Sequence, residues 1–418
     1  MKRKLVIVGA SYAGLQIATS ARELGFDGDI VLIGDEPHAP YQRPPLSKGF
    51  LTGSFAEQRL PLRSPAFYTE LQIEWMPSTR AMRIDRERKQ VELHDGSRIA
   101  YDHLALSTGA RPRMLDCAGA SLDAVHYLRD LADARRLAER AQTARRAVVI
   151  GGGYIGLEAA ASLRMQGLDV TVVETEQRVL ARVASPTLSG FMERVHKSRG
   201  VSFACGRKVV ALHDMQGGVA VELDDGARLL CDLVIVGIGV LPNTELAAGC
   251  GLQVAGGIVV DACARTSDPS VVAAGDCASF VPYWAEADGA PCRIESVQNA
   301  NDMAKTAAAS ILGRPQPYRA VPWFWSDQYD MKLQMAGVSK GFTDFAIRGV
   351  VEEAKFSLFY FRDQNLVAVD SINRPQDHML ARKLLANGAR PSIDDINDPA
   401  FDLKALASRD ASAAHGAA

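Results

Sequence analysis

No two of the seven cysteines are spaced as CxxC, and none precedes Cys117. That excludes a sequence-encoded zinc site or iron-sulfur cluster, and scattered thiols of this kind belong to a reducing compartment, so cytoplasm is the expected location. There is no block of lysine and arginine. With 47 basic against 49 acidic residues and a formal net charge of -2, nucleic-acid binding through a basic face is not expected. The densest charge run, Asp85 to Lys89, mixes signs and reads as a solvated turn. No stretch approaches the roughly 20 apolar residues that a membrane span needs. Lys2-Arg3-Lys4 and the apolar residues after it imitate a secretory leader, but that apolar run is only strand-length before Gly9, and cleavage would delete the motif described next.

Two glycine fingerprints are present: Gly9-Ala10-Ser11-Tyr12-Ala13-Gly14 behind Leu5 to Val8, and Gly151-Gly152-Gly153-Tyr154-Ile155-Gly156 behind Ala147 to Ile150. In each, an apolar strand leads into a tight turn where missing side chains let the backbone approach a pyrophosphate, and the following helix offers unpaired N–H groups to the negative charge. An acid follows each motif about twenty residues on, Asp35 and Glu174, at the spacing that suits a ribose diol. One polypeptide is therefore expected to hold two dinucleotides. Ser11 replaces the usual middle glycine of the first motif, so a Cβ must be tolerated there.

At 418 residues and 47% hydrophobic, the chain can build two or three cores. The first strand-turn-helix-strand unit runs from Leu5 to Gly34, and a meander turning at Asp95-Gly96 leads to a strand over Tyr101 to Ser107. A helix over Asp130 to Gln142 precedes the second unit, which starts at Ala147 and closes over Leu233 to Gly239. Val271 to Ala274, followed by Gly275-Asp276, reads as a late strand rejoining the first sheet, which makes the second unit an insertion. A helix over Gln298 to Leu312 and a Pro-rich link then introduce strands at Lys332 to Ala336 and Phe356 to Phe361. The expected class is α/β, with two Rossmann-like dinucleotide-binding domains in a glutathione-reductase-like architecture and a C-terminal α+β domain. The boundaries are 1–112 with 242–321, then 113–241, then 322–407, leaving 408–418 as a disordered tail.

Four segments carry a more specific likeness: Tyr41-Gln42-Arg43-Pro44-Pro45-Leu46-Ser47-Lys48, Gly153 to Glu158, Arg293 to Asn299, and Trp323-Phe324-Trp325-Ser326-Asp327-Gln328. With the two fingerprints, the chain resembles, from residue 1 to about 405, the FAD-dependent NADH:ferredoxin reductases of bacterial haem-thiolate monooxygenase systems, the putidaredoxin and palustrisredoxin reductase type. Disulfide reductases of the same wider fold need a redox cysteine pair where this chain has the cysteine-free run Arg43 to Lys48.

The resemblance implies FAD in the first domain and NADH in the inserted one, with a 2Fe-2S ferredoxin feeding a cytochrome P-450 monooxygenase as the acceptor. The alternatives are the reductase component of an aromatic-ring dioxygenase and a rubredoxin reductase. It places Gly9, Ser11, Ala13 and Gly14 at the FAD pyrophosphate and Asp35, or its neighbour Glu36, at the adenosine ribose. Ala81 comes near the adenine, Arg43, Lys48 and Arg129 make further FAD contacts, Asp276 meets the ribityl chain, and Val297 begins a helix pointing at the flavin ring. Gly151, Gly153, Tyr154, Ile155, Gly156, Glu174 and Gly239 are assigned to NADH, Glu174 favouring it over NADPH because a carboxylate repels a 2'-phosphate. Lys48 and Glu158 are expected as a pair beside the reactive flavin atom, since a buried lysine needs an anionic partner. Tyr154 is expected to shield the ring, and Trp325 to mark the electron exit, while Trp323 reads as packing. Lys305, Arg314, Arg382 and Lys383 are the candidate basic face for an acidic ferredoxin near Trp325 and the C-terminal domain. No metal ligand set, nucleic-acid site or membrane contact is expected.

Overall fold

The computed structural model describes residues 2–284 and 289–408. Of the expected tail, residues 409–418 lie outside the described residues.

The chain divides into two compact units. The first comprises Met1–Gln42, Gln58–Arg111 and Val240–Pro322, and the second Arg43–Glu57, Pro112–Gly239 and Trp323–Ala418.

In the first unit, five parallel strands lie in the order Val271–Ala273, His103–Leu106, Lys4–Val8, Asp29–Ile33 and Ile73–Met76. Continuous apolar runs such as Leu5 to Val8 suit a parallel sheet covered on both faces, and Leu5, Ile7, Leu32 and Leu104 have no solvent exposure. The late strand rejoins this sheet as its periodicity predicts, with Val271 opposite Leu104. The helix Tyr12–Glu23 packs along the helix Val297–Ile311, through alanine-rich faces that let two backbones come close. A three-stranded antiparallel meander, Ala81–Asp85, Gln90–Leu93 and Arg98–Ala100, completes the unit.

The second unit repeats the parallel arrangement, in the order Ser202–Cys205, Asp169–Glu174, Arg146–Ile150, Leu233–Val236 and Val125–Tyr127. The helix before it spans Leu131–Thr143, and Asp130 and Asp133 form a reciprocal capping box at its start. The same unit contains a five-stranded antiparallel sheet, ordered Trp323–Gln328, Met331–Gly337, Asn365–Ile372, Lys355–Arg362 and Asp344–Val350. Its core is continuous with that of the parallel sheet, so Leu157 and Leu163 share one cluster with Leu333, Phe356 and Leu358. Residues Arg43–Glu57 depart from the boundaries read along the sequence. Leu51 is buried in the second unit's core, Ser162 Oγ donates to the Ser47 carbonyl at 2.7 Å, and Gln166 Nε2 to the Leu51 carbonyl at 2.9 Å.

Candidate functional site

In the first unit the strand Lys4–Val8 breaks at Gly9, whose φ is +109°. A Cβ there would stand 2.1 Å from the Ser107 carbonyl oxygen, and one on Gly14 would stand 2.0 Å from the Gly9 carbonyl. Strand end and helix start therefore meet backbone to backbone, a closeness that only glycine permits. Ser107 pins this turn by donating its hydroxyl to the Val8 and Gly9 carbonyls at 3.1 and 2.8 Å. Ser11 caps the helix with extended backbone, φ -136°, so its Cβ brings no strain.

The same end of the sheet collects other predicted residues. Gly275, which precedes Asp276, has φ +83°, and a Cβ on it would lie 3.1 Å from that of Ala13. Asp35 is exposed just beyond the second strand, while Glu36 accepts a 2.6 Å hydrogen bond from the Tyr41 hydroxyl. Ser78 and Thr79 donate from their backbones to the Glu36 and Gly34 carbonyls at 3.0 and 2.8 Å, drawing the chain past the two acids to Ala81. Val297 opens its helix behind Ser296, whose hydroxyl accepts from the Asn299 amide at 3.0 Å.

The second unit contains the matching turn. Gly151 has φ +108°, and its Cβ would fall 2.4 Å from the Gly237 carbonyl. One on Gly156 would fall 2.0 Å from the Gly151 carbonyl, whereas a Cβ on Gly153 would meet nothing within 4 Å. Gly153 caps the helix Tyr154–Met165 with φ -79°. Ile155 is exposed, and Gly239 has φ +103° with open space beside it. A cleft runs past Gly151, Gly153, Glu174, Arg182, Arg207 and Gly237. Glu174 closes the strand Asp169–Glu174 and is held in this cleft by three donors: the Gly152 amide at 2.6 Å, the Glu176 amide at 2.9 Å and the Thr175 hydroxyl at 3.0 Å. A carboxylate has about four acceptor positions, which leaves capacity for ribose hydroxyls. Sequence reasoning missed both arginines. Arg207 is paired with Asp225 at 3.0 Å, and Arg182 follows Glu174 by too irregular a loop for any spacing rule to find it.

Glu158 lies on the helix that the second fingerprint opens, and it is 1% exposed. Lys48 Nζ stands 2.7 Å from Glu158 Oε2 and also donates to the Pro44 carbonyl at 3.2 Å. Ser47 Oγ donates to Oε2 and Ser326 Oγ to Oε1, each at 2.6 Å. Three donors on one carboxylate offset the cost of removing it from water, and Lys48, 19% exposed, keeps partial hydration. Ser47 and Ser326 sit inside segments quoted above without any role. The available signal was strand alternation, which puts Phe324, Ser326 and Gln328 on one face of Trp323–Gln328 and so buries two polar side chains.

Around this pair, Arg43 Nη1 donates to the Arg129 carbonyl at 2.7 Å, and the Arg129 amide to Asp133 at 3.0 Å. The Tyr154 hydroxyl donates to Met335 Sδ at 2.8 Å, its ring lies 5.2 Å from that of Phe324, and burial pushes its phenol well above the usual range. Trp325 is half-buried, with ring centres at 5.6 Å from Trp323 and 6.3 Å from Phe324. Trp323 carries the Arg382 guanidinium 4.8 Å above its ring, a cation–π contact. Lys305 is held by Asp302 at 2.9 Å in the other unit.

All seven cysteines are free. Burial raises the thiols of Cys117, Cys205, Cys250, Cys277 and Cys292, and lifts Cys231 to about 11, so these are not thiolate nucleophiles. Among the described residues, no helix is long and apolar enough to cross a membrane.

Two glycine turns that a Cβ would fill, each followed by an acid at its second strand, fit a pair of dinucleotide cofactors, FAD and NADH. Known proteins share the sequence and the fold. The chain is 44% identical to rhodocoxin reductase from Rhodococcus erythropolis over 407 residues, 97% of this chain and 94% of that one. Its fold superposes with a TM-score of 0.94 on the ferredoxin reductase for the CYP199A2 system from Rhodopseudomonas palustris, 44% identical, covering 97% of this chain and 100% of that one. It superposes at 0.92 on putidaredoxin reductase in its covalent complex with putidaredoxin, 39% identical, covering 97% and 98%. Residues 323–407 match the reductase C-terminal domain. Residues 3–304 match the pyridine nucleotide-disulphide oxidoreductases, and the chain belongs to that family.

Proposed function

We propose that the protein is an FAD-dependent NADH:ferredoxin reductase that passes electrons singly to a 2Fe-2S ferredoxin serving a cytochrome P-450 monooxygenase. The observation that carries this reading is the repeated Cβ-excluding glycine turn, one in each unit, in a chain without a redox cysteine pair. A bound flavin supplies the conversion between the electron pair of a hydride and the single electrons that an iron-sulfur protein accepts.

The chain's own residues bind and orient. Gly9 to Gly14, Asp35 or Glu36, Ala81, Asp276 and the start of the helix at Val297 hold FAD from the first unit. The family likeness also assigns Arg43, Lys48 and Arg129 to FAD, and Gly151 to Gly156, Glu174 and Gly239 hold NADH. Glu158, with its three donors, holds Lys48 fixed at Nζ. Tyr154 stays protonated and packs as a neutral ring, and positioning, rather than acid–base chemistry, is the work of this site. Trp325, continued by Trp323 and the Arg382 cation, marks the face offered to an acidic ferredoxin. Free thiols throughout suit the cytoplasm.

The test is direct. Purified protein should be yellow, should bleach with NADH, and should reduce a 2Fe-2S ferredoxin from a panel of purified iron-sulfur proteins. Colourless protein that cannot be reconstituted, or saturation by rubredoxin alone, would refute the assignment.

A further inference from the structure

Glu158 is the near end of a longer chain of buried hydrogen bonds within the second unit. Ser326 Oγ, which donates to Glu158 Oε1, accepts in turn from Gln328 Nε2 at 3.0 Å. Gln328 Oε1 lies 2.8 Å from His196 Nε2. Ser326, Gln328 and His196 are at most 1% exposed, so water does not substitute for any of these contacts.

The direction of the chain follows from chemistry. An amide oxygen has no hydrogen, so His196 Nε2 must be the donor. That sets the Nε2–H tautomer and leaves Nδ1 as a buried acceptor without a partner. Turning the Gln328 amide over would make His196 Nε2 the acceptor and Nδ1–H an unpaired buried donor. It would also set Gln328 Oε1 in competition with Glu158 for the single Ser326 proton. In the arrangement observed, every donor points toward the carboxylate: imidazole to amide, amide to hydroxyl, hydroxyl to Glu158.

We propose that His196 is a positioning residue for the Lys48–Glu158 pair. By locking the Gln328 amide it aims the Ser326 hydroxyl at Glu158 and holds that carboxylate in place opposite Lys48. The imidazole acts as a neutral terminus. Its ring is enclosed by Phe203 and Tyr329 at 6.0 and 5.1 Å, and burial lowers its proton affinity. Neighbouring charges are already matched, Arg199 with Asp330 at 2.9 Å and Lys197 with Glu193 at 2.7 Å.

The relay's consequence at the flavin rests on the function proposed above, but its existence can be measured separately. Isotope-edited infrared spectra of the holoprotein report the carboxylate stretching band of Glu158, which moves with its hydrogen bonding and is assigned by its loss in Glu158→Gln. Ser326→Ala removes a hydrogen bond to a charged group, and the Glu158 band should then shift. His196→Phe should shift it in the same direction, the double variant should shift no further than Ser326→Ala alone, and His196→Gln, which keeps a side-chain N–H, should restore the parent band. Gln328→Met cuts the same chain without touching the imidazole, and stands in should His196→Phe fail to fold. An unmoved Glu158 band in the folded His196→Phe or Gln328→Met protein, or shifts that add in the double variant, would overturn the relay. An unchanged flavin spectrum in Glu158→Gln would instead count against the placement of the pair beside the flavin and leave the relay standing.

Discussion

Gly153 and Gly156 stand three residues apart in one turn, and substituting each with alanine should separate two jobs that the motif combines. The Gly156 Cβ would sit 2.0 Å from a backbone carbonyl oxygen, where contacts under 3.0 Å are essentially never found. Strand end and helix start must then part by about 1 Å, at a stability cost of about 1–3 kcal/mol. A misplacement of that size costs on the order of 100-fold in a positioned reaction. At Gly153 the backbone is ordinary for alanine, φ -79°, and the added methyl meets no protein atom within 4 Å. If that open space seats the NADH pyrophosphate, Gly153→Ala should lower the thermal midpoint by no more than about 4 °C, corresponding to the roughly 1 kcal/mol by which alanine is a poorer helix cap than glycine. It should nevertheless weaken NADH binding at least tenfold. Gly156→Ala should lose both stability and binding. Both proteins should remain yellow, because the first unit's turn is untouched. The assay is NADH titration of flavin reduction beside a thermal scan, and parent affinity in Gly153→Ala would refute the reasoning.

Other outcomes follow from the same geometry. Glu158→Leu leaves Lys48 without its counter-charge and should cost about 2–3 kcal/mol, below the buried-pair range because Lys48 is 19% exposed. The double variant with Lys48→Met should recover part of that loss in denaturant unfolding, and additive losses would show the two residues to be uncoupled. In the cleft, Glu174→Ala exposes Arg182 and Arg207 to the cofactor, so affinity for 2'-phosphorylated NADPH should rise relative to NADH, and unchanged selectivity would remove Glu174 from the ribose. Asp370 is buried on the strand Asn365–Ile372 and accepts one bond from the Tyr360 hydroxyl at 2.8 Å. Burial raises its carboxyl to about 7. The folded state therefore holds this proton more tightly than the unfolded chain does, and its contribution to stability is full below about pH 4, shrinks through about pH 7, and is then lost. Asp370→Asn should flatten that slope and leave the variant more stable than the parent at pH 8, by up to about 4 kcal/mol. A parent-like pH profile of the melting temperature would show that Asp370 is already ionised at neutrality.

Local features of the chain were legible in advance because covalent geometry acts over a few residues. Apolar runs and glycine placement define the two turns, and the run Val271 to Ala274 announces its return to the first sheet. The acids Asp35 and Glu174 follow from spacing alone. Lys48 and Glu158 could be singled out as a pair from the resemblance, since a buried lysine needs an anionic partner. Tertiary structure decided what surrounds them. Ser47 and Ser326 meet Glu158 from segments 111 and 168 residues away, Gln328 and His196 continue the chain of bonds behind Ser326, and nothing in a window of ten residues encodes such a meeting. Arg43–Glu57 leaves its sequence neighbours because Leu51 finds its apolar contacts in the second unit's core, and Arg182 and Arg207 enter the Glu174 cleft through loops of no regular period. Sequence sets which groups must be covered or paired, and packing alone selects their partners, because burial free energy depends on total contact rather than on separation along the chain.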